Sequence, residues 1–356
     1  MLKNLLLLFF LVEVLVPNSI LAQENPSASG TYNKYTGTIG TAAIVFDLIK
    51  KDNKFSGSYY YAKIGTPIEI VGEATGSNTF KLTEFDSNYE ITGTLTCNFI
   101  NDNSIEGLWE NPKTKKTLPI KLIIKTENTP KITLYKSYNE NCDNVAKNKL
   151  KPANEIEYFD TLCSTLSVDW LVVKIADATI QKKINQKLKE LLIGNNATSV
   201  QEYVKTYFNT DPETGFNRDI ICNPSTVEKS VLSFSIVNSE YFFGAAHPGS
   251  YLNYANFDIT TGNIISLEDL FISDYKKELN QIAEKKFIQL FGTEGWDFTP
   301  GNFNNTENYL ITKSGLIFTF NQYEIGPYAA GSPTFLIPYK DIKHLLKDKA
   351  VVRQFF

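Results

Sequence analysis

The chain has 356 residues, of which 42% are hydrophobic, and this composition excludes a globally disordered protein. Its 35 Lys and Arg residues nearly balance 39 Asp and Glu residues, and without a long basic block nucleic-acid binding is not expected. The two histidines, His247 and His344, lie far apart, which argues against a His-rich zinc site, so we expect neither a metal nor a cofactor.

The N-terminus, residues 1–22, predicts a secretory signal peptide. Lys3 supplies the charged start, residues 5–16 form an apolar run, and Ala22 is a small residue at the cleavage point. The apolar run is too short for a membrane span, which needs about 20 residues, and a retained N-terminal anchor is the less favoured alternative. We therefore expect a periplasmic or extracellular protein with no membrane span in its mature chain.

The four cysteines are predicted to form disulfides, because an exported protein reaches an oxidising compartment. They belong to no Cys-x-x-Cys pair, so a zinc or redox motif has no support, and four cysteines allow three connectivities. We favour Cys163–Cys222, because both lie in the C-terminal half next to predicted strands. Cys97 would then pair with Cys142 and tie the first domain to the linker.

Residues 31–125 predict an all-β antiparallel meander. Short β-prone runs alternate with turns rich in Gly, Asn and Asp, and several runs alternate apolar and polar residues, as half-buried strands do. A glycine recurs inside the runs, at Gly57, Gly72, Gly93 and Gly107, which suits a tightly curved sheet. We therefore predict an eight-stranded barrel of lipocalin-like or avidin-like architecture. The runs lie near residues 35–39, 43–49, 55–62, 68–74, 78–84, 90–96, 104–109 and 117–124.

The barrel raises one alternative function, that of a small-ligand carrier. Tyr59, Tyr61, Phe80 and Trp109 are the aromatic residues that would line a cavity for a small apolar ligand. The interiors of eight-stranded barrels are often filled by side chains alone, so we favour a packed core formed by these residues.

A polar linker, residues 126–154, ends the meander, and residues 130–356 predict an α+β domain. Asp177 and Gly194 are suited to cap the first helix, and Ser266 with Asp269 matches a capping box. In chain order the pattern predicts a strand over 155–173, a helix over 180–192, a second helix ending at 208, strands over 227–243 and 251–259, a helix over 274–291, a hairpin over 309–320 and a last strand over 334–337.

Two segments of this domain carry longer motifs. Residues 242–271 read FFGAAHPGSYLNYANFDITTGNIISLEDLF, and residues 318–346 read FTFNQYEIGPYAAGSPTFLIPYKDIKHLL. Their G-x-A-H-P element, D-x-x-T-G strand end, L-x-D-L-F helix start and F-x-x-Y-x-I-x-P-Y-A-x-G loop resemble the C-terminal domain of unknown function in RsiV-type anti-sigma factors. Residues 155–240 are similar, less closely, to the domain that precedes it in PdaC-type peptidoglycan deacetylases. The barrel lies outside the resemblance.

The resemblance implies an extracytoplasmic binding or sensing module, since some members bind lysozyme and others accompany cell-wall deacetylases. This sequence shows no anti-sigma region and no metal-ligand motif of a deacetylase, so neither sigma-factor control nor deacetylation is implied. We therefore expect a non-enzymatic protein of the cell envelope whose partner is a lysozyme-like protein or a cell-wall glycan.

His247, in the Ala-Ala-His-Pro-Gly element, has three possible roles. A structural role in fixing the turn is favoured, a role in a binding site comes second, and catalysis third. Histidine is the usual base near neutral pH, and Ser250 and Asp258 lie nearby in sequence, so an envelope hydrolase using His247 is the alternative enzyme hypothesis. Neither of these two residues sits in a nucleophile elbow.

The loop over residues 321–331 is the second candidate for binding. Its tyrosines lie between Gly and Pro residues, and rigid amphipathic rings give contact area at low entropy cost. The alternative is that the loop packs only on its own domain. An exposed groove shared with segment 244–251 would give the binding hypothesis a site. The predicted binding residues are His247, Tyr251, Tyr323, Glu324 and Tyr328.

Overall fold

The computed structural model has an eight-stranded antiparallel closed β-barrel followed by a mixed α+β region with few helices, as the sequence predicts. It describes residues 27–86, 90–127, 129–142, 163–209 and 215–356. The predicted signal peptide, residues 1–22, lies outside these ranges. Within them, no helix combines the length and the apolar character that a membrane crossing requires.

The barrel strands follow one another in chain order around the sheet, and β8 returns to β1. They are β1 (Ala28–Ile39), β2 (Ala42–Lys51), β3 (Lys54–Tyr61), β4 (Ile68–Ala74), β5 (Thr79–Phe85), β6 (Ile91–Asn101), β7 (Ser104–Glu110) and β8 (Thr117–Ile124). Tyr35 pairs with Ile124 and Ile39 with Ile120, and this pairing closes the barrel.

Aromatic side chains fill the interior of the barrel. Phe55 stacks on Phe80 with ring centroids 4.5 Å apart, and both are buried. Tyr59 is also fully buried, while Tyr61 and Trp109 are partly buried and pack against the same core. The aromatics considered as the lining of a ligand cavity are therefore parts of this packed core.

A buried carboxylate on β5 joins its own strand to three others of the barrel, β3, β6 and β7. Glu84 accepts hydrogen bonds from the hydroxyls of Tyr59 (2.6 Å) and Thr92 (2.6 Å) and from the indole N–H of Trp109 (2.7 Å). Gly93 leaves the space for this arrangement, because a Cβ there would lie 2.3 Å from the indole nitrogen and 2.6 Å from the carboxylate. At this position the strand glycine thus serves close packing of polar side chains.

The α+β region extends the same sheet. Its strands are β9 (Lys131–Asn141), β10 (Ser164–Lys174), β11 (Phe216–Glu228), β12 (Val231–Phe242), β13 (Gly249–Asp258) and β14 (Asn263–Ile264). The pair β10–β11 is parallel, and helices α1 (Ala178–Ile193) and α2 (Val200–Thr206) form the connection between its strands. Both helices bury apolar side chains against the sheet.

The strand predicted over 227–243 is wrong in its bounds. It is the second arm of a hairpin whose first arm, β11, begins at Phe216, so the prediction missed most of β11. The turn falls at Lys229, which has a φ of 48°. A left-handed backbone is unusual for lysine, so the residue type at position 229 does not predict a turn.

The C-terminal part forms its own core beside the large sheet. Its elements are α3 (Leu267–Leu270), α4 (Tyr275–Phe291), the antiparallel strands β15 (Tyr309–Ile311), β16 (Gly315–Thr319) and β17 (Thr334–Pro338), and α5 (Tyr339–Ile342). The ring of Phe287 on α4 lies at the centre of this core, within 5.9 Å of the rings of Trp296 and Phe335. Ser266 and Asp269 form the predicted capping box at the start of α3.

Strand β1 joins the two halves. Ala28–Tyr32 pair with β9, whereas Tyr35–Ile39 pair with β8, so one sheet of 14 strands runs from the barrel into the α+β region. This sheet crosses the predicted boundary between the domains at 31–125 and 130–356. The division into these two domains stays a prediction.

A buried ionic cluster lies where β1 changes partners. Lys34 is only 2% exposed, and its Nζ lies 3.2 Å from Oδ1 of Asp47 and 2.8 Å from Oε1 of Glu228, at the end of β11. The hydroxyl of Tyr32 donates to Asp47, and that of Tyr60 donates to Glu228. We call these five residues the Lys34 cluster; it connects the barrel to the hairpin β11–β12.

The ammonium of Lys34, at the centre of the cluster, keeps its proton at neutral pH. Burial opposes the ammonium of Lys34, but Asp47 and Glu228 outweigh burial and raise its pKa above the ordinary value. Burial also opposes the Glu228 carboxylate, and Lys34 outweighs it there and lowers the pKa of Glu228. In Asp47 burial prevails and raises the pKa. Lys34 therefore stabilises the fold at neutral pH, and its contribution is lost as the pH rises above the ordinary pKa of lysine and through the raised pKa of Lys34.

Two further lysines cross the same boundary. Nζ of Lys51 on β2 lies 2.9 Å from Oδ2 of Asp169 on β10 and donates to Oδ1 of Asn223 at 3.1 Å. Lys313, in the turn before β16, donates to the carbonyl of Ala62 at 3.0 Å. The barrel thus contacts both strands β10 and β11 of the α+β region and the turn before β16 in the C-terminal part.

The disulfide joins Cys142 and Cys163, so both predicted pairings, Cys163–Cys222 and Cys97–Cys142, are wrong. Strands β9 and β10 pair along their whole length, up to Asn141 opposite Ser164, and this register places the next two residues face to face. Cys97 and Cys222 are free and buried. The sequence predicts only a short β-run within the linker 126–154, whereas β9 extends to Asn141, and this difference explains why the Cys142–Cys163 pair was not predicted.

The two free thiols should be unreactive in the folded protein. Burial raises the pKa of Cys97 to about 12, and burial, against a smaller opposing effect of Lys51, raises the pKa of Cys222 to about 12. Because the thiolate is the reactive form, iodoacetamide at pH 8 should label neither in the native chain and both after unfolding without reductant. Mass spectrometry should find four labels only after reduction. Labelling of Cys142 before reduction would contradict the assigned disulfide.

Replacing Lys34 should destabilise the protein strongly. Lys34→Met leaves two buried carboxylates without their cation, and breaking a buried ion pair in this way costs about 3–5 kcal/mol. Lys51→Met is the matched control, since its ion pair is partly exposed, and it should cost about 1 kcal/mol or less. Urea unfolding measures both free energies; equal small losses would show that the Lys34 cluster contributes little.

Candidate functional site

The two segments singled out by their motifs meet in the structure. The hydroxyl of Tyr323 and Nε2 of His247 are joined by a hydrogen bond of 3.1 Å. The imidazole also stacks on the ring of Tyr328, with centroids 3.7 Å apart and planes 21° from parallel. We call His247, Tyr323 and Tyr328 the aromatic surface. The sequence singled out all three residues, and the structure brings them together.

The aromatic surface is open to solvent and its geometry is constrained. Tyr323 is 59% exposed, and His247 is exposed as well. Tyr323 has a φ of 68°, a left-handed backbone that costs a non-glycine residue about 1–3 kcal/mol. An exposed tyrosine held in a strained backbone is more typical of a functional surface than of a core position.

Side-chain amides hold the loop 321–331 against the edge of β13. The backbone N–H groups of Leu252 and Tyr254 donate to Oδ1 of Asn321 (2.7 Å) and Asn308 (3.0 Å). Nδ2 of Asn308 returns a hydrogen bond to the carbonyl of Leu252 at 2.6 Å. We call this the amide ladder, because the side chains satisfy the strand edge as another strand would. Gln322 continues it by accepting from the N–H of Ser250 at 3.2 Å.

Two residues of the predicted binding set have other surroundings. Tyr251 is 41% exposed, but it points to the face of β13 opposite Ser250, and among the described residues no ring contact joins it to the aromatic surface. Glu324 forms a hydrogen bond within its own loop: its Oε2 accepts from the N–H of Asn321 at 2.7 Å.

The side chains considered for the hydrolase alternative, His247, Ser250 and Asp258, contact other residues and not one another. Oγ of Ser250 lies 3.0 Å from Oγ of Ser239, and Oδ1 of Asp258 accepts from the N–H and hydroxyl of Thr260 at 2.8 and 2.7 Å. Nδ1 of His247 lies 3.1 Å from the carbonyl of Pro248, within its own turn. These contacts do not form the hydrogen-bonded chain from nucleophile to base to acid that nucleophilic catalysis uses. In the described part of the chain no group of three or more His, Cys, Asp and Glu residues could hold a metal ion.

A surface depression of about 420 Å³ is lined in part by Glu324 and Ile325 of the loop 321–331. The depression was not predicted, although the Asp, Thr and Asn residues over 297–304 are a sequence signal for a polar surface site. Its lining residues are Asp297, Phe298, Thr299, Asn302, Asn304, Phe320, Glu324 and Ile325. Glu324 follows Tyr323 directly, so the depression and the aromatic surface share one loop.

Comparison with known proteins supports a family assignment for part of the chain. Residues 268–340 match the family described as "Protein of unknown function (DUF3298)". A DUF3298 family member from Bacteroides fragilis NCTC 9343 is 21% identical, with a TM-score of 0.53 over 64% of this chain and 99% of that one. A DUF3298 protein from Pseudomonas aeruginosa PAO1 is 16% identical, with a TM-score of 0.44 over 60% and 94%. A search of curated proteins finds no match.

The family match shows a DUF3298 domain at residues 268–340, the Bacteroides structure shows the likeness of fold, and neither assigns an activity. The narrower likeness to RsiV-type and PdaC-type proteins stays a prediction. Tyr323, Glu324 and Tyr328 lie inside the matched residues, whereas His247 lies before them. The aromatic surface therefore combines the matched domain with a turn outside it.

Asn321 should control the position of the loop. Asn321→Ala removes the acceptor for the partly buried N–H of Leu252, and loss of such a hydrogen bond costs about 1 kcal/mol. We expect faster hydrogen exchange of the Leu252 amide and a lower free energy of unfolding. Asn321→Asp keeps an acceptor oxygen and is the control. Unchanged exchange in Asn321→Ala would show that the amide ladder does not hold the loop.

Proposed function

We propose that this chain is a non-enzymatic, extracytoplasmic binding protein of the cell envelope. Its ligand, a cell-wall glycan or a lysozyme-like protein, contacts the aromatic surface of His247, Tyr323 and Tyr328. The observation that carries the proposal is the exposed Tyr323, held in a left-handed backbone with its hydroxyl on His247.

Three features support binding at this surface. Aromatic rings supply much of the free energy of binding in protein interfaces, and a ring face also offers an apolar contact to the C–H groups of a sugar. The amide ladder arranges the rings before a ligand arrives, which lowers the entropy cost of binding. The stacking of Tyr328 on His247 leaves the ring of Tyr323 the most exposed of the tyrosines in this loop.

The disulfide supports the compartment. A bond between Cys142 and Cys163 is typical of proteins that leave the cytoplasm, because thiols stay reduced inside it. The predicted signal peptide would lead the chain to the same compartment.

The hydrolase is the less favoured function. His247 lies against Tyr323, Tyr328 and its own turn, and Ser250 and Asp258 are paired elsewhere. A base that acted here would need a nucleophile that neither of these two residues supplies in this arrangement.

Replacing Tyr323 should weaken binding of the ligand. The chain without residues 1–22 is titrated by calorimetry with a lysozyme and, separately, with soluble peptidoglycan fragments, at up to about 100 µM. We expect one of them to bind the unaltered chain and Tyr323→Ala to bind it about 10-fold more weakly, as loss of an interface aromatic does.

The matched control is Tyr138→Ala, on β9. Tyr138 is 54% exposed, close to the 59% of Tyr323, and lies in another part of the chain. Its loss should leave the affinity unchanged. If neither probe binds the unaltered chain, or if Tyr323→Ala binds as well as Tyr138→Ala does, the proposed surface is wrong.

A further inference from the structure

The depression beside the aromatic surface offers polar side chains without partners. Asp297, Asn302 and Asn304 are exposed, and among the described residues no hydrogen bond or ion pair holds their side chains. Thr299 adds a hydroxyl, and the buried Phe320 and Ile325 give apolar contacts in the lining. The lining therefore combines amide donors, carboxylate and amide acceptors and some apolar surface.

This combination fits a saccharide better than the other classes of ligand. Each sugar hydroxyl both donates and accepts a hydrogen bond, and amide and carboxylate side chains offer both kinds of partner. A volume of about 420 Å³ falls within the usual range of small-molecule sites, about 300–1,000 Å³. A sugar ring also has an apolar face, for which the aromatic and aliphatic part of the lining is suited.

Other ligand classes meet specific obstacles. The carboxylates of Asp297 and Glu324 would repel an anion. A calcium ion needs oxygen ligands converging within about 2.3–2.6 Å of one point, whereas here one oxygen of Glu324 already accepts from Asn321 and the space is far wider than an ion. An apolar ligand would leave the polar side chains unpaired.

The depression and the aromatic surface are held in a fixed relation. The N–H of Asp297 donates to the carbonyl of Ile325 at 2.8 Å, which ties the segment 297–304 of the depression to the loop 321–331. Gly326 packs so closely on Trp296 that a Cβ there would lie 2.8 Å from the indole ring. The loop 321–331 therefore carries Tyr323 of the aromatic surface and Glu324 and Ile325 of the depression on one segment of fixed position.

We propose that the depression is a saccharide subsite continuous with the aromatic surface, so that the ligand is a glycan chain of at least two sugars. One sugar packs on the ring of Tyr323, and the polar groups of the next form hydrogen bonds with Asn302 and Asn304. This inference rests on the proposed function and names the class of its ligand.

The test uses the chain without residues 1–22 and a tetramer of N-acetylglucosamine as the probe, with affinity measured by calorimetry. The unaltered chain should bind the tetramer, and the double variant Asn302→Ala, Asn304→Ala should bind it about 10-fold more weakly. Both side chains are exposed, so the double variant should keep its unfolding midpoint in urea. Asn195→Ala, another exposed amide, is the matched control and should bind as the unaltered chain does.

Each other outcome overturns the subsite. If the tetramer binds and the double variant equals Asn195→Ala, the subsite is wrong, while a loss in Tyr323→Ala would still support the proposed function. If only a lysozyme binds, the ligand is a protein and the subsite is wrong, although the proposed function holds. If calcium alone binds and the double variant abolishes it, the depression is a cation site.

Discussion

A strand has two edges, and β1 uses them for three partners. Strand β2 pairs with one edge of β1, and the other edge is divided between β9 up to Tyr32 and β8 from Tyr35 onward. Lys34 stands at this division, inside the molecule, where the two partner strands separate. A cation can be buried there only because Asp47 and Glu228 lie against it, and Glu228 comes from the far end of β11. The barrel could not be rotated against the rest of the chain without breaking these contacts.

The backbone groups at the edge of a strand need hydrogen-bond partners, and this requirement also determines the structure of the candidate site. At β13 the edge is satisfied by amide side chains of Asn308, Asn321 and Gln322. A strand in their place would cover this part of the surface with backbone. Short side chains instead leave room for the loop that carries Tyr323 and Tyr328, and so a polar ladder, rather than apolar packing, positions the exposed rings.

The barrel and the helices could be predicted because their signals are local. Alternation within eight short runs predicts strands, and Asp177 accepts from the N–H groups of Thr179 and Ile180, as its place before an apolar helical face predicts. Two elements could not be found in this way. Lys229 turns the hairpin β11–β12 in a conformation that lysine rarely adopts, and the length of β9 follows from pairing with β10 rather than from its polar composition.

By itself, the sequence determined the closed barrel, the mixed α+β region, and the two segments that carry His247, Tyr323 and Tyr328. The tertiary structure alone decided which cysteines pair, which side of β13 Tyr251 occupies, and that His247 meets Tyr323 across 76 positions of the chain. The physical reason is range: propensities, caps and alternation act over a few residues. The register of one strand on another and the meeting of two loops depend on contacts that form only when distant segments pack together.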